Sequence, residues 1–237
     1  MLIEYFEYTD KGSRALNEDA IKVVVNDLGC LACIADGVGG AGCGELASKT
    51  AIDSVFHYYS NRKGEDLRGA VISAHLRVKE LQNKSPEYKN MATTLTCCYI
   101  EENKLQGIHV GDSRLCILRG NGIKQLTEPH TEAYRLYKSG KLKFDAINDY
   151  PRKHIIESAI GINRELIIQE FEFKLEFNDK IILTTDGVHD VISKVEFRDL
   201  SKEYSDIKKF GEAVVDCLKG KKVTDNISFI ALKIIQG

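Results

Sequence analysis

Residues 93–126 read TTLTCCYIEENKLQGIHVGDSRLCILRGNGIKQL, and their punctuation decides the fold. Thr94-Leu95-Thr96 alternates polar and apolar. Glu101-Glu102-Asn103 makes a turn, and a second strand runs from Leu105 to Val110. A third, Leu115 to Leu118, meets Gly120-Asn121-Gly122, after which Ile123 to Leu126 returns. Asn-Gly between apolar runs is a strong hairpin signal. Turns this short force antiparallel neighbours, so the stretch is a meander.

Outward from the meander, the periods sort the rest. Residues 2–9 read as a strand, and 20–26 and 29–35 as two short strands split by the turn Asn26-Asp27-Leu28-Gly29. Two helices follow. Ala47, Ala51, Val55 and Tyr58 recur at steps of four, four and three, and Leu67, Ala70, Val71, Ala74, Val78 and Leu81 repeat the stripe. Asn61 and Gly64 punctuate the end of the first helix. Downstream, 131–153 is irregular and polar, strands return at 166–175 and 180–185, a helix falls near 205–219, and a last strand spans 227–235. Strands keep company with strands and helices with helices. That predicts an α+β fold with antiparallel sheet covered by helices, since a doubly wound sheet would alternate them.

The chain has 237 residues, 43% hydrophobic and 29% charged, an ordinary globular composition. Lys+Arg is 33 and Asp+Glu is 35, a net charge of −2, which gives no reason to expect nucleic acid or an anionic membrane as partner. No apolar run approaches the ~18 residues of a membrane-spanning helix. The segment Met1 to Glu7 lacks the basic and apolar regions of a secretory signal. Seven cysteines, an odd number seated mostly in apolar segments, read as buried thiols of a reducing cytoplasm. Cys30 and Cys33 form a CxxC without the second pair that a zinc site wants.

The loop Asp36-Gly37-Val38-Gly39-Gly40-Ala41-Gly42-Cys43-Gly44-Glu45 contains a GxGxxG between a strand and a helix. A dinucleotide site would need a second parallel strand ending in an acid about twenty residues on, yet 65–82 reads as helix. A P-loop would need Lys where Glu45 stands, and an anion there repels phosphate. A glycine loop after an Asp suits another purpose: backbone that comes close to an ion the Asp holds.

Other carboxylates share this setting. Asp186-Gly187 ends the strand Ile181 to Thr185, Asp112 follows Gly111 after Val110, Asp225-Asn226 opens the last strand, and Glu18-Asp19 precedes an early one. Singly, each reads as a turn residue bonding its own backbone. Together, at strand ends of one sandwich, they can converge. Two like charges 4 Å apart repel by ~4 kcal/mol at an effective dielectric near 20. Hard divalent cations relieve that repulsion, and all-oxygen ligands favour Mg2+ or Mn2+ over zinc.

These residues also resemble, in order, the motifs of the metal-dependent Ser/Thr protein phosphatases of the PP2C type. Gly12 to Ala20 is similar to the family's first motif, Asp36-Gly37-Val38-Gly39-Gly40 to its bacterial glycine loop, and Thr93-Thr94-Leu95 to its Thr strand. Gly111-Asp112-Ser113-Arg114, Ile160-Gly161, Thr185-Asp186-Gly187-Val188 and Thr224-Asp225-Asn226-Ile227 resemble the later ones. The resemblance implies one domain over 1–237, a four-layer α-β-β-α sandwich of two antiparallel sheets flanked by helices, with 131–153 as a flap. It implies two Mn2+ or Mg2+ ions, with Asp36 as bridging ligand. Asp186 and Asp225 would complete one shell, and the Gly37 carbonyl would reach the other ion. Glu18 and Asp19 would hold waters in an outer ring, and Asp112 with Asp186 would frame a third, weaker ion site. A bridging water would attack phosphorus directly, and Arg14 would bind the phosphate through its planar fork. Phosphorylated proteins made by a bacterial-type Ser/Thr kinase would be the substrates.

The chain departs from the family in two places. Val38 stands where eukaryotic members carry a His suggested as general acid, so the leaving oxygen must take its proton elsewhere. Glu128-Pro129-His130 replaces a DH pair, which leaves His130 without an assigned role. Arg114 is expected to pair with an acid, His189 to pack or face solvent, and the basic and aromatic residues of 131–153 to form a solvated face. The competing reading is a catalytically silent phosphoprotein-binding module on the same fold. Such a relative lacks one of the carboxylates, whereas Asp36, Asp186 and Asp225 are all present.

Overall fold

In chain order the computed structural model contains β1 (Leu2–Asp10), β2 (Ala20–Asn26), β3 (Gly29–Ala35), β4 (Gly37–Val38), α1 (Cys43–Ser60), α2 (Leu67–Gln82), β5 (Ala92–Thr93), β6 (Leu95–Glu101) and β7 (Lys104–Val110). There follow β8 (Arg114–Arg119), β9 (Gly122–Gln125), α3 (Glu132–Lys138), β10 (Gln169–Lys174), β11 (Lys180–Thr184), α4 (Asp186–His189), α5 (Lys194–Glu203), α6 (Ile207–Lys219) and β12 (Ile227–Gln236). Residues 2–39, 43–60 and 66–236 are described. The loop residues Gly40 to Gly42 and the helix-ending Asn61 and Gly64 lie outside them.

Ten of the strands form two five-stranded sheets, in the orders β1-β12-β11-β8-β9 and β10-β7-β6-β3-β2, and β4 pairs with β5, every pairing antiparallel. Side chains alternate along each strand, so each strand feeds two layers. On β3, Cys30, Ala32 and Ile34 face the space between the sheets, while Leu31, Cys33 and Ala35 face α1 and α2. On β12, Ile230, Leu232 and Ile234 point between the sheets, and Phe229 and Ala231 point toward α5 and α6. Strands apolar on both faces are strands covered on both sides, and this makes the four layers. Fully buried Phe210 of α6 meets Phe229 at 6.1 Å between ring centroids. Truncating such a ring costs about 3–5 kcal/mol.

The same alternation disposes of the CxxC. Cys30 and Cys33 sit on opposite faces of β3, so they cannot grip one ion together. All seven cysteines are free thiols. Among the described residues no helix is long and apolar enough to cross a membrane.

Three helices depart from the sequence expectation, the four-residue α4 and two longer ones. The irregular 131–153 segment contains α3, and the unassigned 194–203 segment is α5. Both are announced by caps rather than by apolar periodicity. Thr131 Oγ1 accepts from the Tyr134 amide at 3.3 Å. Ser193 and Glu196 make a reciprocal capping box, Glu196 N–H to Ser193 Oγ at 3.2 Å and Ser193 N–H to Glu196 Oε2 at 2.8 Å. Each helix buries one side chain, Ala133 or Phe197, which is too little to print a stripe.

Sheet register collects the acids. Ala20 pairs with Ala35, Ile34 with Thr96, and Leu95 with Val110 in one sheet. Arg114 and Phe229 both pair with Thr184 in the other. The connections 11–19, 36–39, 111–113, 185–190 and 224–226 therefore emerge at one rim of the sandwich.

Candidate functional site

Asp36 is clamped by Thr93 and Thr94, where β5 runs into β6. Its amide donates to Thr94 Oγ1 at 2.8 Å, and its carbonyl accepts from the Thr94 amide and Thr93 Oγ1, both at 2.9 Å. Thr94 Oγ1 lies 2.8 Å from Ser113 Oγ, which ties the clamp to the turn bearing Asp112. Asp186 opens α4, and its carbonyl accepts from the Asp190 amide at 2.9 Å.

Asn226 does the corresponding work for the N-terminal loop. Its Nδ2 donates to the carbonyls of Lys11 at 2.9 Å and Leu16 at 2.8 Å, while its Oδ1 accepts from the Glu18 amide at 2.9 Å. Glu18 Oε1 accepts from the Gly44 amide at 3.1 Å, at the positive end of α1. Asp19 is buried, 4% exposed. Its Oδ2 accepts from Thr185 Oγ1 at 2.8 Å, and its Oδ1 has no partner.

Gly37 is needed where it stands. A Cβ there would lie 2.2 Å from the Gly44 carbonyl oxygen and 2.5 Å from that of Glu18. Only a glycine lets Asp36 approach the start of α1 this closely.

The acids feel one another. Burial first, then the charges of Asp19, Asp186, Asp112 and Asp225, push Asp36 well above the carboxylate range. Burial drives Asp19 to about 7, only partly offset by the neighbouring hydroxyls of Ser228 and Thr185. Asp112 rises to about 7 through burial and then the charge of Asp186. Asp186 rises to about 6 through burial, Asp225 and Asp190. Yet among the described residues no three His, Cys, Asp or Glu side chains are gathered tightly enough to grip an ion as they stand. The donor set is all oxygen, one buried oxygen lacks a partner, and a glycine cradle adjoins. Those features fit hard divalent cations.

Beside the acids lies a cleft lined by Arg14, His154, Asp186, Gly187, Asp190, Val191, Val223, Thr224 and Asp225. Arg14 hangs over its edge, 57% exposed in its side chain. It donates from Nη2 to Asp225 Oδ2 at 2.8 Å and from Nε to the Thr224 carbonyl at 3.1 Å. Val38 is 46% exposed.

Arg114 behaves differently from expectation. Its Nε is buried without a partner, and among the described residues no carboxylate lies within ion-pair distance of it, although Asp190, Asp112 and Asp186 act on it through space. Burial of its guanidinium dominates and lowers its pKa, and the charge of Asp190 restores part of it. His189 packs as expected, its Nδ1 2.9 Å from Thr184 Oγ1.

The rim thus brings Asp36, Asp19, Asp112, Asp186 and Asp225 into mutual electrostatic contact, with Glu18, Gly37 and Arg14 alongside. Sequence reading missed His154 and Asp190 in the cleft, and the holding roles of Thr185 and Asn226. The last two were visible as neighbours of Asp186 and Asp225. His154 carried no local signal, because only the path of 131–156 brings it to the cleft.

A sequence model of the protein phosphatase 2C family matches residues 10–229. Protein phosphatase PhpP of Streptococcus pneumoniae is 31% identical over 201 residues, 81% of each chain. The crystal structure of serine/threonine phosphatase Stp1 from Staphylococcus aureus superposes with a TM-score of 0.91 at 26% identity, covering 100% of this chain and 96% of that one. The catalytic domain of serine/threonine protein phosphatase PstP, crystallised with two manganese ions, is 24% identical, with a TM-score of 0.85 and 99% of both chains covered, a likeness of fold.

Proposed function

Because the chain belongs to the protein phosphatase 2C family, we propose that it is a metal-dependent protein phosphatase that hydrolyses phosphoserine and phosphothreonine, with two Mn2+ or Mg2+ ions as cofactor. The carrying observation is the rim itself: several acids raised by burial and mutual repulsion, with a buried carboxylate oxygen left unpartnered. All the acids that a silent binding module would be expected to lose are in place. The names borne by PhpP and Stp1, and the manganese pair in PstP, support the same reading.

Asp36, with Asp186, Asp225 and the Gly37 carbonyl, would hold the two ions. Glu18 and Asp19 would serve as an outer ring, and Asp112 with Asp186 would frame the third site. When bound, such a pair of ions screens phosphate charge and makes water a nucleophile at neutral pH. Hydrolysis would join a water oxygen to phosphorus as the P–O bond to the Ser or Thr side chain breaks, with one water proton passing to solvent and one proton reaching the departing oxygen. Arg14, at the cleft edge, presents its guanidinium fork to the phosphate oxygens. Val38 cannot donate a proton. His154 shares the cleft with Arg14 and Asp186, and its imidazolium would be the group that gives a proton to the departing oxygen. The substrates we infer are proteins phosphorylated by a bacterial-type Ser/Thr kinase in the cytoplasm.

The test is hydrolysis of p-nitrophenyl phosphate and a phosphothreonine peptide with and without Mn2+. Activity should need the cation and vanish with Asp225→Ala. Activity that survives a chelator, or a fully active Asp225→Ala, would refute the two-metal reading.

A further inference from the structure

His130 has no part in the chemistry above, yet two segments of the rim meet on it. It leads into the arm that spans 131–156, whose two ends are held together at the base. There Thr131 bridges Ile156, the Glu132 amide donates to the Ile155 carbonyl at 2.9 Å, and the Glu157 amide donates to the His130 carbonyl at 2.8 Å. On its other side His130 engages Gly111, the residue before Asp112, in both directions. The His130 amide donates to the Gly111 carbonyl at 2.7 Å, and the Gly111 amide donates to His130 Nδ1 at 3.2 Å.

Gly111 adopts φ +111°, a conformation that side chains resist and glycine takes freely, so this turn is built for close approach. The imidazole also rests on that of buried His109, 4.9 Å between centroids, and His109 Nδ1 lies 2.7 Å from Thr96 Oγ1. An Nδ1 that accepts a hydrogen bond is unprotonated, so His130 is the neutral tautomer with its proton on Nε2. Burial agrees, pushing His130 down to about 4.

We propose that His130 is a positioning residue, a clasp that ties the turn carrying Asp112 to the base of the 131–156 arm, so that arm and carboxylate are set together. The arm also brings His154 to the cleft, two residues before the Ile156 bridge. Displacing the arm would therefore disturb one cleft side chain directly and Asp112 through the clasp. The consequence for ions rests on the metal role proposed for Asp112. The clasp itself does not.

Three variants separate the roles of the ring. His130→Asn keeps an acceptor close to where Nδ1 stands, His130→Gln carries it one bond further out, and His130→Ala removes it. Amide hydrogen exchange on the full chain in chelator reads the clasp. Calorimetric titration with Mn2+ alone reads its effect on Asp112, the Asp112-dependent part being what Asp112→Asn loses. In His130→Ala and His130→Gln the Gly111 amide should exchange roughly tenfold faster, with a parallel rise at Glu157. Both should lose about tenfold in the Asp112-dependent Mn2+ affinity, as loss of an outer-shell partner commonly does. His130→Asn should stay within roughly twofold of the parent in both readings.

Unchanged exchange in His130→Ala, or equal acceleration in His130→Ala and His130→Asn, overturns the proposal. Should His130→Ala fail to fold, nitrogen NMR of the unaltered chain decides: a proton on Nε2 near neutral pH supports the clasp, and one on Nδ1 overturns it. If Asp112→Asn binds Mn2+ as the parent does, the metal role of Asp112 fails, and the exchange result still decides the clasp.

Discussion

Replacing Asp19 with Asn should stabilise the metal-free chain and weaken the metal-bound one. Asp19 is 4% exposed, and burial lifts its carboxyl from the ordinary 3.8 to about 7. Between those values the unfolded chain has released the proton while the folded chain keeps it. Stability therefore falls as pH rises through this window and levels off above it. At ~1.4 kcal/mol per pH unit, the full penalty is on the order of 4 kcal/mol near pH 8 and under about 2 kcal/mol near pH 5. Asn cannot ionise, and its Oδ1 can still accept from Thr185 Oγ1, now at 2.8 Å from the Asp oxygen. In chelator, Asp19→Asn should thus gain over the parent by a few kcal/mol near pH 8, a shift on the order of 10 °C in Tm, and by clearly less near pH 5. Added Mn2+ should close or reverse the gap, because the parent regains the counter-charge its carboxylate awaits. Denaturant unfolding at both pH values, with chelator and with Mn2+, measures all four differences. A variant no more stable than the parent in chelator near pH 8, or a gap equal at the two pH values, would refute the reasoning.

Arg14→Lys should leave stability within about 1 kcal/mol, since the Arg14–Asp225 pair is exposed, but lower kcat/KM roughly ten- to a hundredfold by losing the fork. Gly37→Ala places a methyl 2.2 Å from the Gly44 carbonyl oxygen and should cost about 1–3 kcal/mol or more, with weakened Mn2+ binding by calorimetry. His154→Gln should slow a phosphoserine peptide on the order of a hundredfold and p-nitrophenyl phosphate far less, because nitrophenolate leaves without a proton. Equal slowing of both substrates counts against the proton role. Val38→His should change the acid limb of the pH–rate profile, and an unaltered limb removes Val38 from consideration.

The sheets were legible because their punctuation is local. Asn26-Asp27-Leu28-Gly29 and Gly120-Asn121-Gly122 mark turns whatever surrounds them, and each falls between the expected strands. The stripe of Ala47, Ala51 and Val55 was legible because it is buried whole against one sheet. α3 and α5 were not, because their few buried side chains leave caps as the main signal. Acids beside glycine at strand ends were visible, but their convergence follows from register, which joins Ala20 to Ala35 and Thr184 to Phe229. His154 and the two hydrogen bonds between His130 and Gly111 depend on how the 131–156 arm returns. A one-dimensional pattern does not carry that path.

The sandwich has a second rim, opposite the acids, where Asp27, Glu102, Asn121 and Asn178 sit in the connections of β2 with β3, β6 with β7, β8 with β9, and β10 with β11. None of those connections supplies a side chain to the cluster. Extra residues spliced into them would lengthen a loop and leave the chemistry alone, whereas a single residue added beside Asp36, Asp112, Asp186 or Asp225 would shift an acid out of step. The two ends of the sandwich therefore differ in tolerance. Reporter peptides or fused domains belong at the far end, where the protein can be enlarged while it goes on working.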